Sequence, residues 1–106
     1  MPTSGTANGS ADLLRTLANT YRLQILCALS AGELSVGDLG AQLPLTQSAL
    51  SQHLARLRAQ RLVATRRQSQ AIYYRVEDPE VLDMARALLR LATTRRAAEP
   101  ARVTPV

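Results

Sequence analysis

Residues 47–58 of this 106-residue chain read QSALSQHLARLR, and their pattern predicts an amphipathic helix. Leu50, Leu54 and Leu57 recur at the spacing of a buried helical stripe. Thr46 stands directly before the segment, where its hydroxyl can accept a hydrogen bond from an unpaired amide at the helix start. We therefore expect a helix that begins after Thr46 and packs its leucines into a core.

The face of this helix opposite the leucines is small and polar. Ser48, Gln52 and Ala55 lie at its centre, and Ser51 lies on its flank. Ordinary solvated faces usually interleave Glu with Lys, and this face contains neither. A helix that enters the major groove needs short side chains for close approach, and Ser and Gln groups that hydrogen-bond to base edges or phosphates. We predict that Ser48, Ser51 and Gln52 contact DNA.

Arginine is concentrated around this helix. Residues 43–76 contain no acidic residue, and the whole chain has a formal net charge of +5, which favours a polyanionic partner. Guanidinium groups bind phosphate oxygens in pairs, and such contacts position a protein on DNA without reading its sequence. We predict that Arg56, Arg66 and Arg67 contact the DNA backbone.

The other predicted elements are short and closely spaced. Periodicity and capping residues predict helices over residues 11–18, 21–31, 36–43 and 47–60, strands over 63–68 and 71–76, and a last helix from Asp78-Pro79 to about Arg95. This order predicts a mainly α protein with a small β-hairpin, a winged helix-turn-helix in which the hairpin is the wing. Low apolar content predicts flexible tails over residues 1–9 and 96–106, so the domain spans residues 10–95.

Composition argues against several other classes of protein. No histidine lies beside a nucleophile, no glycine-rich loop could hold a phosphate and no acid pair is clustered, so we expect neither an enzyme nor a bound cofactor. No apolar run approaches the roughly 20 residues that cross a bilayer, and residues 1–5 lack the features of a signal peptide. We therefore expect a cytoplasmic protein with no membrane contact.

Three groups of residues carry a resemblance to a known family. They are Leu17-Ala18-Asn19 with Arg22-Leu23-Gln24-Ile25-Leu26, the segment from Gln47 to Arg58, and Leu62-Val63 with Ile72-Tyr73-Tyr74-Arg75. Together they resemble the ArsR/SmtB family of winged helix-turn-helix transcriptional repressors. The resemblance implies a homodimer built on the first and last helices, which binds double-stranded operator DNA. It also adds Gln47 and His53 to the candidate DNA-binding residues and implies that the hairpin touches the flanking backbone.

Two departures from the family pattern concern backbone geometry. Arg61 stands where the family usually has glycine, and the cost of this change depends on whether the position needs a positive φ. The predicted hairpin tip, Gln68-Ser69-Gln70, also lacks the glycine that is common in the family. These two positions are where the wing is expected to differ.

Many proteins of this family respond to a metal ion, but this chain lacks the ligands that the resemblance would require. Ser35 stands at the start of the third predicted helix, where thiolate-binding branches have cysteines, and a hydroxyl cannot replace a thiolate for a soft metal. The last predicted helix contains no histidine, so we expect no tetrahedral zinc site there. His53, the single histidine of the chain, is expected to pack or hydrogen-bond rather than to bind metal.

Cys27 is the single cysteine, so no intrachain disulfide can form. Its surroundings resemble the branch of the family that senses sulfide, persulfide or oxidants through two cysteines, and the second position falls near Thr93. Cys27 alone could still react with a small reactive sulfur species or an oxidant and so relieve repression. It could equally be an inert apolar residue beside Leu23 and Leu26, where free cysteines usually sit. The sequence leaves both hypotheses open.

The function expected from the sequence is a dimeric, sequence-specific DNA-binding repressor with Cys27 as a candidate sensing thiol. One alternative is a DNA-binding regulator in which Cys27 has no sensing role. Another is a winged-helix module that binds other proteins through the apolar stripe of its last helix. That stripe consists of Val81, Leu82, Ala85, Leu88, Leu89 and Ala92.

Overall fold

The computed structural model of the chain describes residues 3–98. Within them it contains five α-helices, namely α1 (Thr3–Leu17), α2 (Thr20–Ala28), α3 (Val36–Gln42), α4 (Gln47–Ala59) and α5 (Pro79–Ala98). It also contains three strands, β1 (Leu34–Ser35), β2 (Ala64–Gln68) and β3 (Ala71–Arg75), and a 3-10 turn over Leu29–Ala31. The predicted order of four helices, a hairpin and a last helix is confirmed.

Side-chain caps fix the starts of three helices. Asn19, Ser35 and Thr46 each accept a hydrogen bond from the backbone amide three residues further on, at 3.1, 3.0 and 3.0 Å. The Ser35 amide in turn donates to the Asp38 carboxylate at 3.4 Å, which completes a capping box. Each cap satisfies an amide that the first helical turn leaves unpaired, so these boundaries agree closely with the sequence prediction.

The sheet has one strand more than the sequence predicted. Its order is β1-β3-β2 and both pairings are antiparallel, with Ser35 opposite Tyr73 and Arg66 also opposite Tyr73. A strand of two residues is too short to show alternation in a sequence, so β1 was missed. It brings the segment before α3 against the hairpin.

The first helix begins earlier than predicted. We expected it from about residue 11, with a tail over residues 1–9, but α1 begins at Thr3. The apolar stripe marks only the part of a helix that packs on a core, whereas helical hydrogen bonding can continue outward through residues without such a stripe. Residues 3–9 are thus part of α1, and α5 continues through residues 96–98, past the predicted end near Arg95. Residues 1–2 and 99–106 lie outside the described part of the chain, so the predicted tails stay a prediction.

The core is formed by leucine and isoleucine side chains from the middle helices. Its largest fully buried apolar side chains are Ile25 and Leu26 of α2, Leu39 of α3, and Leu50, Leu54 and Leu57 of α4. Burying each such side chain contributes about 1.5–3 kcal/mol, so the leucine stripe fixes the rotation of α4 about its axis. The stripe predicted over residues 47–58 is confirmed, and the opposite face of α4 must point away from the core.

Two residues other than glycine adopt left-handed backbone geometry in the described part of the chain. Arg61 has a φ of 60° after the end of α4, and Ser69 has a φ of 58° at the hairpin tip. They lie at the two places, residue 61 and the hairpin tip, where the resemblance implies a glycine. The question that the sequence left open about Arg61 is thereby answered, because this position does need a positive φ.

None of the helices in residues 3–98 combines the length and the apolar character needed to span a membrane.

Candidate nucleic-acid interface

The outer face of α4 is exposed along its length. Gln47, Ser48, Ser51 and Gln52 are all exposed, and within the described residues none of these side chains forms a hydrogen bond with the rest of the protein. Thr46 sets the start of the helix and the leucine stripe sets its rotation. The structure therefore brings these four predicted residues together on one open surface, which we call the α4 reading face.

The wing presents its two adjacent arginines differently. Arg66 Nε lies 2.8 and 2.9 Å from the two carboxylate oxygens of Glu33, and its Nη1 donates to Gln68 Oε1 at 2.7 Å. The guanidinium also lies 4.8 Å above the centre of the Tyr73 ring. Arg66 is therefore held and electrostatically paired, whereas the sequence predicted a cation free to meet phosphate.

Arg67 is exposed at the next position of β2 and, within residues 3–98, forms no salt bridge. Arg75 of β3 pairs with Glu77 at 2.7 Å and lies 3.7 Å from Glu33. Residues 43–76 contain no acid themselves, but two acids outside this segment, Glu33 before it and Glu77 after it, pair with its arginines. The sequence could not have indicated Glu33, because only the pairing of β1 with β3 brings it to the wing.

Arg56 and His53 lie on the side of α4 that meets α1 and α2. Arg56 is exposed, and its Nε donates to the hydroxyl of the buried Thr16 at 3.3 Å. His53 is half-buried; its Nδ1 lies 3.3 Å from Arg22 Nη1, and its ring centre lies 6.1 Å from that of Tyr21. The sequence analysis did not identify Thr16, Arg22 or Tyr21 as partners, because all three meet α4 only through tertiary packing.

Burial and neighbouring charge act together on this group of residues. Burial lowers the pKa of His53, and the positive charge of Arg22 lowers it further. Burial likewise lowers the pKa of Arg22, with a further contribution from the charge of Arg56. His53 is therefore neutral at physiological pH, and its predicted packing role agrees with its half-buried position.

Cys27 lies at the edge of an open groove between α2 and α5. The groove has a volume of about 390 Å³ and is lined by Cys27, Arg86, Leu89, Arg90, Thr93 and Thr94. Burial raises the pKa of the Cys27 thiol, and the charge of Arg86 opposes that shift. Thr93, the position inferred for a second cysteine, thus lines the same groove as Cys27.

Exposed apolar side chains form a surface on the two terminal helices. Leu14 of α1 is 63% exposed, and Met84, Leu88 and Leu91 of α5 are 46%, 36% and 54% exposed. Leu14 and Leu88 line one open groove of about 450 Å³. We call these four residues the α1–α5 apolar patch.

A family model described as "Bacterial regulatory protein, arsR family" matches residues 20–65. The transcriptional activator HlyU of Vibrio cholerae is 53% identical over 79 residues, which cover 74% of this chain and 73% of that protein. The chain belongs to the ArsR family of bacterial regulatory proteins. The biofilm growth-associated repressor of Xylella fastidiosa is 40% identical over 88 residues, covering 83% of this chain and 77% of that protein.

Solved structures support the same assignment. The structure of reduced HlyU from Vibrio cholerae matches with a TM-score of 0.71 and 47% identity, covering 84% of this chain and 94% of that one. The fold of this ArsR-family chain is thus the winged helix-turn-helix, with β2 and β3 as the wing, and it is a DNA-binding transcriptional regulator. The relatives named here regulate transcription, which confirms the expectation that the chain is not an enzyme.

The resemblance implies that a metal ion is a common effector in this family. Within residues 3–98, no three residues among His, Cys, Asp and Glu come together in a way that could hold a metal ion. Ser35, at the position of the family's cysteines, caps α3 instead. Its hydroxyl is therefore engaged with the backbone rather than directed at a ligand.

Proposed function

We propose that this chain is a dimeric, sequence-specific repressor that binds operator DNA with α4 in the major groove. The observation that carries this proposal is the α4 reading face, which is exposed and free of partners while the opposite side of the same helix is fully buried. Short Ser side chains allow the helix backbone to approach the base pairs, and Gln52 and Gln47 can reach base edges with both a donor and an acceptor.

The wing supplies contacts to the flanking backbone in this proposal. Arg67 is the stronger candidate of the two wing arginines, because its charge is unpaired within the described residues whereas that of Arg66 is neutralised by Glu33. A phosphate contact by Arg66 requires that its ion pair with Glu33 opens or is shared. Arg67 therefore carries most of the predicted backbone contact of the wing.

Dimer formation through α1 and α5 is supported by the α1–α5 apolar patch. Four large apolar side chains exposed together are costly in water, and a second copy of the chain would cover them. A two-fold dimer presents two α4 helices to two half-sites about 34 Å apart, which is one turn of DNA. Each half-site then contributes to an affinity that one helix alone could not provide.

The direction of regulation is part of the proposal. The relatives that match include one named as an activator and one named as a repressor. We propose repression by occupation of the promoter, in line with the relative named as a repressor. In vitro transcription from a promoter that contains the bound sequence distinguishes the two directions.

The proposed DNA contacts are tested by selection and by substitution. Duplexes that bind the wild-type protein are enriched from a random library, and the affinity of the selected duplex is measured by fluorescence anisotropy. Gln52→Ala should relax discrimination at one base pair by about 1–3 kcal/mol. Gln42→Ala, which changes an exposed glutamine at the end of α3, serves as the matched control. Failure to enrich any sequence would show that the chain does not read DNA.

Cys27 is proposed as a sensing thiol, with derepression following its modification. The groove that it shares with Arg86 and Thr93 supports access by a small reagent. Its thiolate would attack a sulfur of an inorganic polysulfide, forming one S–S bond while the polysulfide S–S bond breaks and the shortened polysulfide leaves with the electron pair. The raised pKa favours the opposite hypothesis of an inert thiol, because little thiolate forms near neutral pH.

Mass spectrometry separates these two hypotheses for Cys27. The protein is treated with polysulfide or peroxide, the mass added to Cys27 is measured, and binding of the selected duplex is compared before and after treatment. Cys27→Ser provides the matched control, since it removes the thiol with little change in volume. Modification without loss of DNA affinity would remove the sensing role and leave a DNA-binding regulator.

A further inference from the structure

A group of nitrogen donors lies where the end of α1, the start of α2 and the middle of α4 meet. Arg22 Nη1 lies 3.3 Å from His53 Nδ1, and Arg22 Nε donates to the Thr16 carbonyl at 2.6 Å. Arg56 Nε reaches the Thr16 hydroxyl at 3.3 Å. Arg22 and Arg56 therefore converge on the buried Thr16 of α1, and His53 is joined to them through Arg22. We call Arg22, His53 and Arg56 the basic cluster.

The basic cluster contains positive charge without an acidic partner. Within residues 3–98, neither Arg22 nor Arg56 forms a salt bridge with a carboxylate, although Arg15, Arg66, Arg75 and Arg86 all do. The acceptors that the cluster reaches are uncharged oxygens of Thr16 and Arg15. The C-terminal dipole of α1 offers only a partial negative charge to Arg22. The positive charge of the basic cluster is thus only partly balanced by the protein groups around it.

Several hydrogen-bond donors of the cluster have no acceptor within residues 3–98. Arg56 uses only Nε in its described hydrogen bonds, and its exposed side chain leaves the two terminal NH₂ groups free. His53 engages Nδ1 with Arg22, so that Nε2 carries the proton of the neutral ring and can donate it. Free donors on two neighbouring groups, with no acceptor nearby, define a site that suits an anion.

The position of the cluster identifies the anion. His53 follows Gln52 directly on α4, and Arg56 lies one helical turn beyond Gln52. A ligand held by Arg56 and His53 therefore lies beside the α4 reading face, at the edge of the groove that this face would enter. In the proposed complex the anions at this edge would be the phosphates of the DNA backbone, whose paired oxygens suit arginine.

We propose that the basic cluster binds one backbone phosphate of the duplex that α4 reads. Arg56 and His53 donate to the phosphate oxygens, and Arg22 adds charge to the site. In the free protein Arg22 also orients the neutral His53 ring by donating to its Nδ1. The inference rests on the proposed function, because it names a contact within the proposed DNA complex. It also adds Arg22, which lies outside α4 and the wing, to the interface.

Binding of the phosphate should be linked to the protonation of His53. The described residues in contact with His53 are Arg22 and Tyr21 of α2, and Arg22 is the charged group that acts on its pKa. In the free protein burial and the charge of Arg22 disfavour the imidazolium form, whereas a bound phosphate favours it. The added proton occupies Nδ1, so the hydrogen bond from Arg22 to that atom is given up in the complex. The complex then takes up a proton as it forms, and DNA affinity rises as the pH falls from about 8 to about 5.

The first test is a proton NMR titration of the wild-type protein, free and bound to the selected duplex. The chain has one histidine, so the imidazole resonances need no assignment by mutation. We expect the pKa of His53 to rise by about one unit or more on binding. A complex that forms with the pKa of His53 unchanged or lowered overturns this inference and leaves the proposed function intact. If the duplex does not bind at all, as measured by anisotropy, both fail.

The second test uses matched charge-removing variants. Arg56→Gln should reduce the slope of log affinity against log salt by about 0.9 and should abolish the rise in the pKa of His53. Arg90→Gln removes an arginine from α5, away from the cluster, and should change neither. A single neutral methylphosphonate, moved along the selected duplex, should at one position eliminate the difference between wild type and Arg56→Gln. Equal effects of both variants, or no such position, would contradict the inference.

Discussion

The carboxylate of Glu33 accepts hydrogen bonds from Arg66 Nε at 2.8 and 2.9 Å and thereby ties the wing to the turn between α2 and β1. Glu33 directly precedes β1, whose pairing with β3 supports the same junction. The two residues are 33 positions apart in the sequence. Because this ion pair neutralises Arg66, the two neighbouring arginines of β2 are expected to behave differently toward DNA.

The wing arginines provide a matched pair of substitutions. Arg67→Gln should lower the slope of log affinity against log salt by about 0.9, because it removes one unpaired cation that meets a phosphate. Arg66→Gln should lower the slope by less, because Glu33 already compensates its charge. Both slopes are measured by anisotropy with the selected duplex. A larger loss for Arg66→Gln than for Arg67→Gln would show that the ion pair opens on DNA.

Replacing Glu33 should have the opposite effect on the salt dependence of DNA binding from replacing Arg66. Glu33→Gln leaves Arg66 without its carboxylate partner, so the free guanidinium should raise the salt slope by up to about 0.9. Since exposed ion pairs contribute only about 0–1 kcal/mol, the free energy of unfolding should change little. The measurement is the salt dependence of anisotropy, with urea unfolding as the check on stability. An unchanged slope would indicate that Arg66 does not approach the DNA.

The protein with Arg61 should have a lower free energy of unfolding than a variant with glycine at this position. With a φ of 60°, its Cβ meets the following carbonyl oxygen, whereas glycine adopts this geometry freely. After allowance for the greater entropy of glycine in the unfolded chain, Arg61→Gly should raise the free energy of unfolding by about 0.5 kcal/mol. Ala55→Gly within α4 is the control and should lower it by about 0.5–1 kcal/mol. Thermal unfolding measures both, and a less stable Arg61→Gly protein would point to a contact that Arg61 makes.

The α1–α5 apolar patch is tested by introducing a charge. Leu88→Glu should dissociate the dimer, because a carboxylate buried between two apolar surfaces loses its hydration without gaining a partner. Thr94→Glu places the same charge on another exposed position of α5 and should leave the dimer intact. Sedimentation equilibrium gives the mass of each variant. A Leu88→Glu protein that is still dimeric would show that the interface lies elsewhere.

The reactivity of Cys27 should follow its pKa. Since burial raises this pKa, alkylation by iodoacetamide should reach half its maximal rate above about pH 8.5, the ordinary value for a free cysteine. Arg86→Gln removes the charge that opposes the shift and should move the midpoint higher still, whereas Arg58→Gln on α4 should not. A midpoint below the ordinary value would favour the sensing role of Cys27.

The sequence by itself determined the helices, their caps and the side of α4 that faces outward. Leucine spacing at residues 50, 54 and 57, and hydroxyls at Ser35 and Thr46, act within one or two helical turns, so they can be recognised without knowledge of the fold. Because the leucine stripe sets the rotation of α4, it also predicted which residues of the α4 reading face are exposed. The start of α1 was missed because residues 3–9 carry no stripe of apolar side chains.

Only the tertiary structure decided which cations have partners. Glu33 meets Arg66 through a strand of two residues, and Arg22 meets His53 through the packing of α2 on α4. Charge and hydrogen-bonding capacity can be read from a sequence, but whether they are already satisfied depends on residues distant along the chain. That is why the sequence predicted a uniformly basic flank, whereas the folded chain presents a paired Arg66, an unpaired Arg67 and the basic cluster around His53.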